Sequence, residues 1–327
     1  MRQVAHLYFH SPCFDGIASG VLALDFLESR QDWSFAELHP VNYDLKDIWL
    51  ATKLNSNAAV VDYLYHPDAK FWADHHGTTF LSSEARTDFE HRRSSCLIYD
   101  RSIGSCALLL WDHLWSSFGH RNLRYESLVN WANRIDAAHY RSVEEAIFGT
   151  EPALRINSSL DGKVDLAYCI KLVNLLKHEP LDYVAAQPYV QARAAHTEEL
   201  IRAGLERVVN GSTLEEDGLV VFDVDSTGVI VNRYAPYYVF PEARYSVGLV
   251  TSPNGAVIRA MRNPWREFPS IPLGQIFGKF GGGGHQRVGA VVFPEERAAE
   301  ARPILDQIVS EIRKAEALDH DTESQLL

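Results

Sequence analysis

Three apolar runs in the first half of the chain each finish in residues that can hold a metal ion. His10, Cys13 and Asp15 follow VAHLYFH, Asp62 sits in AAVVDYL, and Asp74, His75 and His76 close KFWADH and the residue after it. Asp136, in NRIDAAHY, adds a further carboxylate. A single Asp or His after a strand is most often a turn or cap residue. Several meeting at one edge of a sheet would instead form two adjacent sites of carboxylate and imidazole donors. That donor set suits manganese, and also iron, cobalt or zinc. Two such ions a few ångströms apart activate a water, polarise a phosphoryl oxygen and steady a leaving oxygen, so hydrolysis of a phosphate ester is the chemistry expected.

The elements that would position these residues alternate strand and helix. VAHLYFH, AAVVDYL and KFWADHH read as strands, GIASGVLALDFLESR as a helix, and the pattern is that of an α/β, doubly wound, mainly parallel sheet. In such sheets ligands collect beyond the carboxyl ends of the strands. Helices follow in GSCALLLWDHLWSSF and ESLVNWANRIDAAHY, and then a long amphipathic stretch interrupted near Pro188. A second set of strands, GLVVFDVD, RYSVGLVTS and AVIRAMR, predicts a smaller α/β domain. The division expected is a catalytic domain over 1–182, a connecting helix over 183–215, a substrate-binding domain over 216–317 and a disordered tail over 318–327.

The second domain contains GKFGGGGHQRVGA, four glycines between a short helical segment and a strand. Glycine admits positive φ and close approach of another molecule to the backbone, so the run is a linker, a tight turn or a ligand cradle. Its structured flanks argue against a linker.

Composition narrows the partners. The 327 residues are 46% hydrophobic and 23% charged, and 31 Lys plus Arg against 43 Asp plus Glu leave a formal charge of -12. Such a surface disfavours long duplex nucleic acid, whose binding depends on neutralising phosphates, and leaves short oligonucleotides or nucleotides held in a pocket. The four cysteines have no CxxC spacing, the start of the chain lacks a signal-peptide pattern, and no run is long and apolar enough to span a bilayer. A cytoplasmic protein without a membrane partner is expected, with a homodimer left open. His6 and His39 have no such neighbours in the sequence and read as surface or core residues.

Taken in order and spacing, HSPCFDG, VVDY, ADHHGT, NRID and GGGGHQRVGA resemble the motifs of the DHH phosphoesterase family in its two-domain form. That family includes nano-RNases, 3'-phosphoadenosine 5'-phosphate phosphatases and the RecJ-type exonuclease core. The resemblance covers nearly the whole chain. It implies two divalent metal ions, manganese foremost, with Asp62 bridging, His10 on one ion, and Asp15, His75 and Asp136 on the other. It implies that Asp74 orients its neighbours and that His76 faces the substrate as a hydrogen-bond or proton donor. Gly282, Gly283, Gly284 and His285, with Arg259 and Arg262, are implied to bind the substrate's phosphate and sugar. The family's first motif commonly carries two aspartates one residue apart; here the first is Cys13, and His10 stands one residue closer to Asp15 than in many members. A cysteine there either ligates a softer metal or faces away.

The function expected is metal-dependent hydrolysis of short oligonucleotides to mononucleotides. The alternatives are a phosphatase for 3'-phosphoadenosine 5'-phosphate, a phosphodiesterase for cyclic or linear dinucleotides, and a non-catalytic nucleotide-binding regulator.

Overall fold

The computed structural model describes residues 3–30, 33–161 and 165–324, leaving outside it the side chains of residues 3, 33–36, 285 and 318–324. The chain packs as two compact units, Met1–Tyr140 with Thr150–Thr197, and Arg141–Gly149 with Glu198–Leu327.

The first unit contains β1 (Gln3–His10), α1 (Phe14–Ser29), β2 (Trp33–Val41), β3 (Ala58–Val61), β4 (Phe71–Asp74), α2 (Ser83–Arg92), β5 (Leu97–Tyr99), α3 (Cys106–Phe118) and α4 (Glu126–Asp136). The short α5 (Val143–Phe148) belongs to the second unit, and α6 (Pro152–Ser158), α7 (Leu166–His178) and α8 (Leu181–Ala185) return to the first. The helix α9 (Pro188–Gly211) contains the division between the units.

All strand pairings in the first sheet are parallel, in the order β2-β1-β3-β4-β5. Alternation along β1 explains its two faces. Ala5, Leu7 and Phe9 are fully buried in a core shared with α1, α3 and α7, while Tyr8 packs against the opposite core around Trp49, Tyr63 and Trp72. After β1 the chain adds β2 on one side and β3 on the other. This reversal of strand order opens a crevice at the carboxyl ends of β1 and β3, where His10 and Asp62 lie.

The second unit continues with β6 (Ser212–Leu214), β7 (Leu219–Asp225), α10 (Ala235–Val239), β8 (Tyr245–Ser252), β9 (Gly255–Arg262), α11 (Leu273–Gly278), β10 (Gly283–His285), β11 (Val288–Pro294) and α12 (Ala301–Ser324). Its sheet, ordered β10-β11-β9-β8-β7-β6, is antiparallel except for the β7–β8 pair. Val247, Leu249, Ile258, Ala260 and Phe293 form its core with Phe277 of α11 and Leu305, Ile308 and Ile312 of α12.

Two boundaries differ from the sequence reading. After a 3₁₀ turn over Glu295–Glu300, the last helix runs from Ala301 through Ser324, past residue 318, where the tail was expected to begin. The strand expected through Leu64 ends at Val61, because Asp62 takes φ 55° and leaves the extended conformation.

Candidate metal centre

The residues at the strand ends come together in the first unit. His75 Nε2 lies 3.2 Å from Asp136 Oδ2, 3.8 Å from Asp15 Oδ2 and 3.9 Å from Asp62 Oδ1. His10 Nδ1 lies 3.3 Å from Asp62 Oδ2. Donor atoms of Asp15, His75 and Asp136 fall within 4.8 Å of one another, as do those of His10, Cys13 and Asp62, and those of Asp62, Asp74, His75 and His76. Asp62 is thus shared between two neighbouring donor groups.

Each of these side chains is held by identifiable contacts. Asp15, in the first turn of α1, accepts the backbone N–H of Cys106 at 2.7 Å and of Ala107 at 2.9 Å, the opening amides of α3. Those amides carry the positive end of the helix dipole and fix the carboxylate. Asp74 Oδ1 accepts the backbone N–H groups of His75 and His76 and also faces His76 Nδ1 at 2.8 Å. Asp74 therefore folds the turn that separates the two histidines. His75 donates its Nδ1–H to the Ile103 carbonyl at 3.1 Å, which leaves Nε2 facing the carboxylates.

Electrostatics show what this arrangement lacks when only protein is counted. Burial and the neighbouring Asp136 push the Asp15 carboxyl from 3.8 to about 6. Burial, Asp15 and Asp74 push Asp62 well above the ordinary carboxylate range. Burial opposes charge on His75, yet the adjoining Asp136 and Asp15 lift it to about 9. Burial and the neighbouring His76 bring His10 down to about 4. Asp62 Oδ1 and His75 Nε2 are buried and make no aligned hydrogen bond among the described residues. Repelling carboxylates, an imidazole they hold protonated and an unpartnered buried oxygen mark a place short of positive charge, which divalent cations would supply in place of the protons. Asp62 also holds a left-handed backbone, a strained conformation for a residue other than glycine that stores of order 1 kcal/mol or more at this point.

One nearby feature was left open by the sequence and two were not read from it. Cys13, expected either to ligate or to face away, has its sulfur within 4.8 Å of donor atoms of His10 and Asp62. Tyr43 packs edge-on against His10, at 5.0 Å between ring centroids, and Tyr63 stacks on its other side at 6.1 Å. The Tyr99 hydroxyl donates to the His76 carbonyl. The tyrosines come from segments whose aromatic residues are indistinguishable in sequence from core residues; Cys13 was marked only by standing where an aspartate is usual. Away from the centre, His6 and His39 prove to have companions: their facing nitrogens are 3.1 Å apart, with Glu37 3.2 Å from His6.

The remaining expected residues lie in the second unit. Arg259, Gly283 and Gly284 line a cavity of ≈ 360 Å³ together with Phe222, Arg233 and Ser246. Arg259 donates one Nη2 bond to the Val231 carbonyl, while its buried Nε has no partner among the described residues. Arg262 does not line this cavity. Three residues along a strand reverse the face, and Arg262 packs on the Phe268 ring at 4.0 Å while donating to the carbonyls of Asn263 and Phe268. It serves the fold of β9 and the following loop. The His285 side chain lies outside the described residues.

The glycines separate into two kinds. A Cβ on Gly282 would lie 2.3 Å from the Ala290 carbonyl oxygen, and one on Gly284, at φ +150°, would lie 2.2 Å from that of Val288. The β10–β11 hairpin itself requires them. A Cβ on Gly283 would meet nothing within 4 Å, although Gly283 borders the cavity.

No protein-family model matches the sequence, and no curated protein sequence does. Solved structures do match. The pGpG-specific phosphodiesterase PggH from Vibrio cholerae aligns with a TM-score of 0.66 at 17% identity, over 94% of this chain and 99% of that one. RecJ from Thermus thermophilus, in complex with Mn2+, aligns with a TM-score of 0.58 at 14% identity, over 94% of this chain and 52% of that one. A DHH domain described as coming from a member of a ribosomal-protein family gives 0.57 at 14% identity, over 95% of this chain and 87% of that one. Together these matches give the chain the fold of the DHH phosphoesterases.

Proposed function

We propose that the protein is a metal-dependent phosphodiesterase acting on short oligonucleotides and releasing mononucleotides. The observation that carries this reading is the meeting of Asp15, Asp62, His75 and Asp136 around buried donor atoms without partners. In this reading His10, Asp15, Asp62, His75 and Asp136 hold two divalent cations, with manganese the first to be tried. Such a pair, when bound, supplies an activated water and neutralises charge on the phosphoryl oxygens. The chain's own residues do the remainder. Asp74 holds His76 by its Nδ1, so that Nε2 is the nitrogen left to donate a proton toward the leaving oxygen. Helix α3 keeps Asp15 from swinging out of place. In the second unit, Arg259 and the open face of Gly283 bind phosphate and sugar, and Phe222 and Arg233 border the same cavity.

A second reading restricts the substrate to linear dinucleotides. It is favoured by the match to a pGpG-specific phosphodiesterase over nearly the full length of both chains. Both readings suit a protein with formal charge -12, a balance that disfavours association with long polyanions.

The experiment is turnover of matched di-, tri- and longer oligonucleotides and of 3'-phosphoadenosine 5'-phosphate by metal-free protein resupplied with one cation at a time. Cleavage across the short series with mononucleotide release supports the first reading, and cleavage of the dinucleotide alone supports the second. Nucleotide binding with no turnover under any cation would refute both.

A further inference from the structure

We infer that Cys13 is a metal ligand, and that the centre's two positions therefore prefer unlike ions: a harder one beside Asp15, His75 and Asp136, and a softer one held by His10, Cys13 and Asp62. This rests on the proposed two-cation centre and concerns only which donors fill it.

Three observations carry the inference. First, a sulfur, an imidazole nitrogen and a carboxylate oxygen from these residues fall within 4.8 Å of one another, a separation that one ion can bridge. Secondly, the carboxylate in this group is wholly buried Asp62, which divides its oxygens: Oδ2 faces His10 at 3.3 Å, while Oδ1 turns to His75 and His76, 3.9 and 3.8 Å away. A carboxylate shut away from water with one oxygen turned to each side offers a donor to a cation on the His10 and Cys13 side as well as to one beside His75. Thirdly, Cys13 occupies the N-cap position of α1, in extended conformation at φ -149° and ψ 137°, yet makes no side-chain capping bond. Serine, aspartate and asparagine serve that position by accepting an amide at short range, a bond the thiol here does not make. Nor is it tied into a disulfide, since all four cysteines are free.

The two donor groups differ in kind. The group of Asp15, His75 and Asp136 offers oxygen and nitrogen only. Replacing an oxygen donor with sulfur raises preference for zinc, cobalt and ferrous iron relative to manganese and magnesium, because thiolate is soft and the latter ions are hard. A protein so built would take manganese at one position and discriminate against it at the other.

Cobalt(II) alone tests this, because a cobalt–thiolate bond gives a near-ultraviolet sulfur-to-metal charge-transfer band that oxygen and nitrogen donors do not. Metal-free full-length protein is titrated with Co2+ while bound cobalt is counted by elemental analysis. The expected result is two ions per chain, with the band saturating at one of them. Cys13→Ser should abolish the band, and Cys13→Asp should abolish it while still binding two ions and gaining about tenfold or more in manganese affinity at that position. Two bound ions without a band in the wild-type protein would overturn the inference and leave the two-cation centre standing. A band that survives Cys13→Ser would likewise overturn it. Failure of the wild-type protein to bind any cobalt would refute the centre itself, and this inference with it.

Discussion

Gly283 and Gly284 are adjacent in the same short strand, and the structure assigns their lack of a side chain to opposite causes. At Gly284 a methyl group would be forced to 2.2 Å from the Val288 carbonyl oxygen on a backbone at φ +150°. Strain of that kind costs on the order of 1–3 kcal/mol before any clash is relieved. At Gly283 the methyl meets no atom within 4 Å. Gly283→Ala should then leave stability unchanged or raise it by up to about 1 kcal/mol, because alanine has less freedom to lose on folding. If the cavity beside it receives substrate, the methyl occupies space the ligand needs. A loss of about tenfold in kcat/KM, or roughly 1.4 kcal/mol, is expected, appearing mainly in KM. The assay pairs denaturant unfolding with steady-state cleavage of a dinucleotide for both variants. Gly284→Ala should lose stability, and Gly283→Ala should lose only substrate affinity. A Gly283→Ala protein as destabilised as Gly284→Ala, or one with the wild-type KM, would refute the reasoning.

The remaining predictions concern the metal centre. Asp62→Asn should reduce turnover to background, since one carboxylate is lost from both the His10–Cys13 group and the Asp74–His75–His76 group. The same change should stabilise metal-free protein at pH 7, because burial and like-charged neighbours make an ionised Asp62 unfavourable and asparagine tolerates the left-handed backbone; paired activity and unfolding measurements check this. The contribution of Asp15 to the stability of metal-free protein should fall as pH rises from about 4 through about 6, against that of His10, which burial holds at about 4 and which works in the opposite direction over the same window. Asp15 holds its proton more tightly folded, at about 6, than unfolded, near 3.8, so the folded state alone must give up a favoured proton across that range. Unfolding curves of metal-free wild-type protein and Asp15→Asn at pH 4.5 and 7 test it: the wild type should lose stability relative to the variant as pH rises, and a wild type that gains relative to it would refute the sign. Finally, burial opposes a proton on His76 but the contact with Asp74 outweighs it and raises the group above its ordinary value. Asp74→Asn should therefore move the alkaline limb of the kcat profile to lower pH as well as reducing kcat, and an unmoved limb would remove His76 from the role of proton donor.

The strand ends were legible because burial and chemistry use different residue types there. A parallel strand covered on both faces is apolar along its length, so the first polar residues after it stand out, as His10, Asp62 and Asp74 do. Asp15 and Asp136 were legible for another reason, their spacing from motifs already in hand. What resisted reading depended on direction rather than type. Arg259 and Arg262 look equivalent in VIRAMR, yet the two-residue period of a strand sends them to different faces, and only one reaches the cavity. β2, with His39 and Pro40 in WSFAELHPV, lacks the uninterrupted apolar run of its neighbours, and it occupies the edge of the sheet where one side needs no pairing. The four glycines of 281–284 were visible as a group, but only the facing carbonyls separate Gly282 and Gly284, which the hairpin needs, from Gly283, which it does not.

The contact of Asp15 with the first amides of α3 makes that helix a gauge of the centre's charge. The Cys106 and Ala107 protons point at a carboxylate 2.7 and 2.9 Å away, so any cation that draws electron density from Asp15 weakens both bonds together. Their resonances should move as ions are added, with no substrate present. Occupancy, exchange rate and the order in which two ions arrive can thus be followed from two backbone positions that do no chemistry themselves.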